Sequence, residues 1–422
     1  ATSDILSLSF KDAIDLGLKS NLGLLLQSDN TLAARGQKWK ELSDLLPNVS
    51  ADINENVAQD NLAARGLRFP GFPTIVGPYS FFDARVYLKQ SVFDFNALER
   101  VRAAAATEKV AQFNYKDARD LVVLSIGNAY LQALAGAARV ETAEAQVQTA
   151  QALFTKASDQ LKAGVSPAID NLRAQVEWQS RQQQAIVARN NYAKLKLALV
   201  RAIGLPIGQE ITLTDKAPYE PLAAMDLEES LKRAYLTRSD YLAAAEQVRA
   251  AELTRRAATA EHLPTVYIAA NYGDLGITLG DSHGTYEATA GVHIPIFAGG
   301  KTHGEVLQSE AALRQDRQQL ENLRGQVEYE VRVALLDLNA AAEQVEVARS
   351  SVDLADQTMT QARDRFAAGV ADNLEVVQAQ EAIASANESY ISSLYAHNLA
   401  KVELARAIGF AEEGVRQYLQ SH

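Results

Sequence analysis

The chain has 422 residues, with 41 lysines and arginines against 52 aspartates and glutamates, a formal charge of −11. That balance excludes a nucleic-acid binder, whose phosphate contacts need a basic face. With no cysteine, thiol chemistry, disulfides, Cys-type zinc sites and a lipidated cysteine within these residues are excluded too, which suits a protein of the cell envelope, although many cytosolic proteins also lack cysteine.

In chain order, a helix is expected over about 10–45. "LLPNVSADI" (45–53) then opens a first strand, about 49–58, in which Val49, Ala51, Ile53 and Val57 alternate with polar residues. Residues 59–78 are rich in glycine and proline without a period, and read as a loop. A second strand, about 79–93, sets Phe82, Ala84, Val86 and Leu88 against Asp83, Arg85, Tyr87 and Lys89. A long helix follows, reversing at "KAGVSP" (162–167), and a returning helix ends at "AIGLP" (202–206). After a connector come a helix at about 226–262 and strands at about 265–275 and 285–297. The first carries Val266, Ile268, Ala270 and Tyr272, and the second Ala288, Ala290, Val292 and Ile294. A helix over about 300–368, a reversal at "AAGVAD" (367–372) and a helix to "AIGFA" (407–411) complete the chain.

This order is a repeat. "KAGVSP" and "AAGVAD", like "AIGLP" and "AIGFA", lie 205 residues apart, and "LLPNVSADI" matches "HLPTVYIAA" (262–270) at an offset of 217. The expected organisation is a first repeat at 1–203, a connector at 204–226, a second repeat at 227–409 and a tail at 410–422. Both long helices carry seven-residue stripes, the signature of a left-handed coiled coil. One runs Val306, Leu313, Leu320, Val327, Ala334, Ala341, Ala348, Ala355, Ala362, Gly369, beside Val331, Leu338, Val345, Val352, Met359 and Phe366. Its counterpart runs Val122, Ala129, Gly136, Ala143, Ala150, Ala157, Gly164, beside Ile126, Ala133, Val140, Val147, Phe154 and Leu161. The first-named stripe of each helix shrinks to alanine and then glycine towards the reversal, so helix backbones can approach more closely there.

At about 1.5 Å per residue the long helix spans roughly 100 Å and each short one roughly 55 Å, so two short helices stacked end to end match one long one. No run approaches 18 apolar residues, and no transmembrane helix is expected. The strands, however, are long enough to cross a bilayer when tilted. Four cannot close a barrel alone; strands pooled between protomers could. No signal peptide is visible, and numbering from Ala1 suits an already cleaved or trimmed chain.

"HIPIFAGGKTHGE" (293–305) ends like a phosphate-binding loop, but the position that needs the first glycine is Pro295, which has no N–H to donate. Its counterpart, "KQSVFDFNALERV" (89–101), shares only Phe93 with Phe297, so both read as strand-to-helix junctions. The six histidines show no metal-ligand spacing, and no nucleophile elbow is present. Neither metal, cofactor nor enzymatic activity is expected.

The tandem halves, the "LP" before each first strand, the phenylalanine at each junction, the "AGV" reversals and the "AIG" endings together resemble the TolC-type outer-membrane efflux proteins, over essentially the whole chain. The resemblance implies a mixed, mainly α fold. Three protomers, four strands each, would form a 12-stranded transmembrane β-barrel continuous with a coiled-coil α-barrel tunnel in the periplasm. It implies a passive exit duct in the cell outer membrane for a tripartite efflux or type I secretion system. Its partners would be a homotrimer, a periplasmic adaptor (membrane fusion) protein, an inner-membrane pump of RND, ABC or MFS type, and outer-membrane lipid. Many relatives carry a lipidated cysteine; here anchoring would rest on the barrel.

By the same resemblance, Gly164, Val165, Gly369 and Val370 are adaptor-docking tips, although glycine after a helix is also an ordinary left-handed cap. Asp170 and Glu375, with Arg173, correspond to a gate at the periplasmic entrance. They also read as helix-start residues: Ser166-Pro167 as N-cap and first turn, Asp372 with Glu375 as a capping box. Arg173 and Gln378 stand where similar proteins place second carboxylates. The alternative to a duct is a periplasmic coiled-coil scaffold or adaptor without a pore.

Overall fold

The computed structural model describes residues 5–215, 219–222, 225–368, 370 and 373–418. Its elements are β1 (Leu6–Leu8), α1 (Phe10–Ser20), α2 (Leu22–Ser43), β2 (Asn48–Asn61), β3 (Ile75–Phe93), α3 (Phe95–Lys162), α4 (Ala168–Ile203), β4 (Ile211–Leu213), α5 (Leu227–Thr237), α6 (Ser239–Ala260), β5 (Thr265–Gly276), β6 (Ser282–His293), α7 (Lys301–Ala367), α8 (Asn373–Ala407) and α9 (Ala411–Tyr418). The fold is mainly helical. Contacts divide it into two compact units: 1–29, 113–242 and 321–422 in one, 30–112 and 243–320 in the other.

The second unit holds a four-stranded antiparallel sheet in the order β2-β3-β5-β6. Residues directly opposite in an antiparallel ladder share a face, so the register sorts the side chains. One row across the sheet is Val49, Leu88, Ala270, Ala288, and the next on that face is Ala51, Val86, Tyr272, Tyr286. Rows on the other face read Ser50, Tyr87, Asn271, Glu287 and Asp52, Arg85, Gly273, Thr285. The apolar face is exposed: Val49, Ile53, Val86, Tyr272 and Tyr286 all lie open. Arg85 lies 2.7 Å from Asp83 on the polar face.

β2 and β3 run beyond their expected ends because the hairpin pairs onward to Asn61 opposite Ile75. β6 stops at His293, two residues short of Pro295, which has no N–H for a ladder. In the same unit, Arg35 and Lys38 of α2 hold Glu108 of α3 at 3.1 and 3.0 Å.

In the first unit the seven-residue stripes turn inward. Val327, Ala334, Ala341, Ala348, Ala355 and Ala362 are buried, as are Val331, Leu338, Val345, Met359 and Phe366 beside them. On α3, Ile126, Ala133, Ala150 and Ala157 are buried, and Phe154 stacks on Trp178 of α4 with ring centroids 5.4 Å apart. Near the reversals, Met359, Ala362 and Phe366 of α7 pack with Val376 and Ala379 of α8 and with Leu153 of α3. α3 also contains one stretch apolar and long enough to cross a membrane by composition. Its Val123, Ile126, Tyr130, Leu131 and Leu134 belong instead to a core shared with α1, α4 and α8.

The helices expected at about 10–45 and 226–262 are each broken in two, a correction with a clear physical cause. The breaks fall at Asn21 and Arg238, both extended and 217 residues apart, the repeat offset. Asn21 donates to the Ala202 carbonyl at 3.4 Å, and Arg238 to the Ala407 carbonyl at 3.4 Å. Each break therefore abuts the last turn of the returning helix, α4 or α8. Glycine is required there: a Cβ on Gly204 would lie 2.7 Å from the Ser20 carbonyl oxygen, and one on Gly409 would lie 2.6 Å from the Arg238 nitrogen. Both have left-handed backbone, φ +86 and +70°.

Two elements lie outside any period in the sequence. β1 pairs in parallel with β4 of the connector, Leu6 opposite Ile211. α9 forms in the tail, where Arg119 of α3 donates to the Glu412 carboxylate from Nε and Nη2, at 3.2 and 2.9 Å.

Candidate functional site

The α3–α4 reversal is built on Gly164, whose φ of +74° lets the chain leave the helix. Its N–H donates to the Leu161 carbonyl and that of Val165 to Gln160, both at 3.0 Å, the paired bonds that close a helix end. Val370 donates in the same way to Arg365 at 3.0 Å; Gly369 lies outside the described residues. A Cβ on Gly164 would meet nothing within 4 Å, so this glycine serves the backbone alone. Val165 and Val370 are 74% and 71% exposed, apolar knobs at the two reversals. Ile169, Leu172 and Val176 extend the exposed apolar surface from the first knob, and Leu374 from the second.

The acids behind the tips occupy unlike environments. Asp170 is nearly buried, accepts from the Ser166 hydroxyl at 3.2 Å, and has Arg173 of its own helix 3.7 Å away. Pro167, not Ser166, is the N-cap of α4 and provides no side-chain cap; the serine reaches the carboxylate instead. Glu375 in the first turn of α8 pairs with Arg365 of α7 at 3.1 Å, bridging its hairpin. Asp372, the expected cap partner, lies outside the described residues.

Two further sets of charges were not singled out by spacing. Arg139 of α3 takes Glu388 of α8 at 2.7 Å and holds that carboxyl below the usual range. Nearby, Arg181 of α4 is buried against Glu177 at 2.6 Å, beside a polar cavity of about 500 Å³ lined also by Gln146, Arg363 and Gln380. The four-residue spacing of Glu177 and Arg181 is legible as a helix pair, but its burial is not. At the α6–α8 junction, buried Arg238 binds Asp240 and Glu330, both at 2.6 Å, and Arg406 binds Asp117. Burial alone would raise Asp240, yet Arg238 and Arg406 outweigh it and hold it low. At Asp120 burial, reinforced by the carboxylates of Asp117, Glu412 and Asp240, outweighs Arg406 and pushes the carboxyl up to about 6.

The glycine-rich segment before α7 gives Gly299 and Gly300 left-handed backbone. Lys301 is engaged by Glu305 at 3.3 Å and Glu261 at 3.8 Å, which suits a junction and not a phosphate cradle. Among the described residues no group of His, Asp or Glu is placed to hold a metal ion.

The sequence profile described as "Outer membrane efflux protein" matches residues 33–205 and 231–410, one match in each repeat. The chain is 23% identical to the alkaline protease secretion protein AprF of Pseudomonas aeruginosa, over 96% of this chain and 86% of that protein. It is 20% identical to the outer membrane protein TolC of Vibrio cholerae, over 88% and 84%. In fold it resembles the CmeC outer membrane channel of Campylobacter jejuni, with a TM-score of 0.81, 17% identity, and coverage of 97% and 88%.

Proposed function

Since the chain belongs to the outer membrane efflux protein family, we propose that it is a passive, homotrimeric exit duct, opened at its periplasmic tip by an adaptor and a pump. It resides in the outer membrane and extends into the periplasm.

The observation that carries this reading is the sheet. It has one mainly apolar and one mainly polar face, four strands, and two edge strands, β2 and β6. In hydrocarbon an open edge leaves N–H and C=O groups without partners, at several kcal/mol each. Three copies joined edge to edge would close 12 strands with the apolar faces to lipid and Arg85, Asp52 and Glu287 to the lumen.

Helix surfaces in the other unit support the same assembly. α4 exposes Leu172 and Ile186, and Val176 and Leu197, at multiples of seven residues; α7 exposes Tyr329 and Leu336, and Val347 and Leu354, at intervals of seven. These seams suit coiled-coil packing between protomers. The tunnel would end at Val165 and Val370, where an adaptor (membrane fusion) protein docks. The inner-membrane pump, of RND, ABC or MFS type, would supply energy and cargo selection. No catalytic step is assigned to the duct.

Planar-bilayer recording of the purified protein tests this. Small conductance that grows when the tips are loosened is expected. Absence of any pore, in the parent and in loosened variants alike, would contradict it.

A further inference from the structure

The two hairpins of the sheet differ in length. β3 pairs with β5 as far as Phe82 opposite Gly276, and β5 with β6 as far as Gly276 opposite Ser282. β2 and β3 continue together to Asn61 opposite Ile75. Residues 56–61 and 75–81 therefore stand beyond the second hairpin, by about 20 Å at about 3.3 Å per residue. They project from the end of the sheet away from α3 and α7, which follow β3 and β6 at the other end.

The two faces exchange character at this height. On the apolar face, the rows beyond Ala51 and Val86 bring in acids: Ile53, Ala84, Asp274, Gly284, and then Glu55, Phe82, Gly276, Ser282. Glu55 accepts from the Ser80 hydroxyl at 3.1 Å. An apolar band that ends in this way marks the edge of the lipid contact. On the opposite face the polar rows give way to apolar side chains: Phe81 lies opposite Asn56, Tyr79 opposite Ala58 and Val76 opposite Asp60. Phe81, Tyr79 and Val76 are all exposed. The tip adds to them. Phe72 donates its N–H to the Phe69 carbonyl at 3.2 Å in a turn with Gly71 at φ +87°, and Leu67, Phe69 and Phe72 are exposed as well. A contiguous apolar surface of this kind, standing in water, marks a contact.

Lipid does not fit that contact, because Val76, Tyr79 and Phe81 lie on the face turned from the apolar band and beyond its end. In a closed barrel this face turns to the axis, where it meets the same face of the other two copies. A 12-stranded barrel with strands about 4.8 Å apart and tilted by about 40° is about 25 Å across. Hairpins of about 20 Å exceed its radius, so three of them can meet on the axis. The register shift between Ala58 and Asp60 supplies the bend, as β-bulges do. Gly77 sits at that shift with φ +114°, and a Cβ on it would lie 2.8 Å from the Ala58 carbonyl oxygen.

Resting on the duct reading above, we propose that the three long hairpins lean together over the outer mouth of the duct, joined by an apolar contact between copies of this chain through Val76, Tyr79 and Phe81. The duct would then be narrowed at both ends, by helices at one and by these hairpins at the other.

The chain has no cysteine, so single cysteines report this contact cleanly. Phe81→Cys, Tyr79→Cys and, on the outer face of the same hairpin, Val57→Cys are each made in the full chain. The purified proteins in detergent are treated with bismaleimidoethane, and covalent dimers are separated on a denaturing gel. Most of the Phe81→Cys and Tyr79→Cys protein should be cross-linked, to an extent unchanged on dilution, with only background for Val57→Cys. Tyr79→Cys decides the matter should Phe81→Cys fail to assemble. A trimer by light scattering in which neither Phe81→Cys nor Tyr79→Cys cross-links above Val57→Cys would overturn the hairpin contact and leave the duct standing. A monomer by light scattering would remove the duct, and the contact with it.

Discussion

Arg365 and Glu375 form an ion pair across the second hairpin, with Nε and Nη2 donating to the carboxylate at 3.1 and 3.3 Å. The equivalent acid of the first hairpin, Asp170, has the guanidinium of Arg173 on its own helix 3.7 Å away and accepts from the Ser166 hydroxyl at 3.2 Å. If both acids line the entrance, each contributes negative charge to it. In Asp170→Asn with Glu375→Gln, cation preference measured by reversal potential in a salt gradient should fall. Arg173→Ala should shift it the other way. Stability should change by about 1 kcal/mol or less, as expected for first-turn acids. Identical reversal potentials in all three proteins would leave these residues a helix-start role alone.

Ala157 and Ala362 are buried where the helices converge. Replacing both with leucine should overpack that region by about 1–3 kcal/mol and spread the tips. Single-channel conductance should rise in the double variant; an unchanged conductance in a folded variant would place the constriction elsewhere.

The junction glycines differ from the tip glycine in a measurable way. Gly164→Ala meets open space and only the left-handed strain, about 1 kcal/mol. Gly204→Ala and Gly409→Ala add a collision with backbone across the helix junction, for a total of roughly 3 kcal/mol. Thermal unfolding followed by helix signal should rank Gly164→Ala well above the other two.

Asp120 gives a pH dependence with a definite sign. Its value of about 6 in the fold lies above the ordinary 3.8, so the folded chain holds this proton more tightly. The stabilisation is complete below about pH 4 and is lost as pH rises through 6. Asp120→Asn should therefore melt higher than the parent at pH 7.5, by roughly 1–2 kcal/mol after screening. The two should converge near pH 4, and an advantage independent of pH would refute the assignment.

Much of this was legible because it is periodic. Alternation placed Val86 and Leu88 on one face and Arg85 on the other, and the seven-residue stripes marked Ala334 and Val345 as buried. What was hidden depends on partners distant in the chain. Leu6–Leu8 is too short to show a period and becomes a strand only against Ile211–Leu213. Nothing local at Asn21 or Arg238 signals a helix break; each is specified by the end of another helix, 181 and 169 residues away. At the tips, Asp170 and Glu375 looked alike as first-turn acids, and Arg365 separated them only once the hairpin was folded.

The central claim is that one chain cannot close its own sheet. Light scattering of the detergent-solubilised protein, corrected for bound detergent, measures this most directly. The account predicts a protein mass three times the 45.8 kDa chain, with the β signal intact. A monodisperse 45.8 kDa particle retaining that β signal would contradict it.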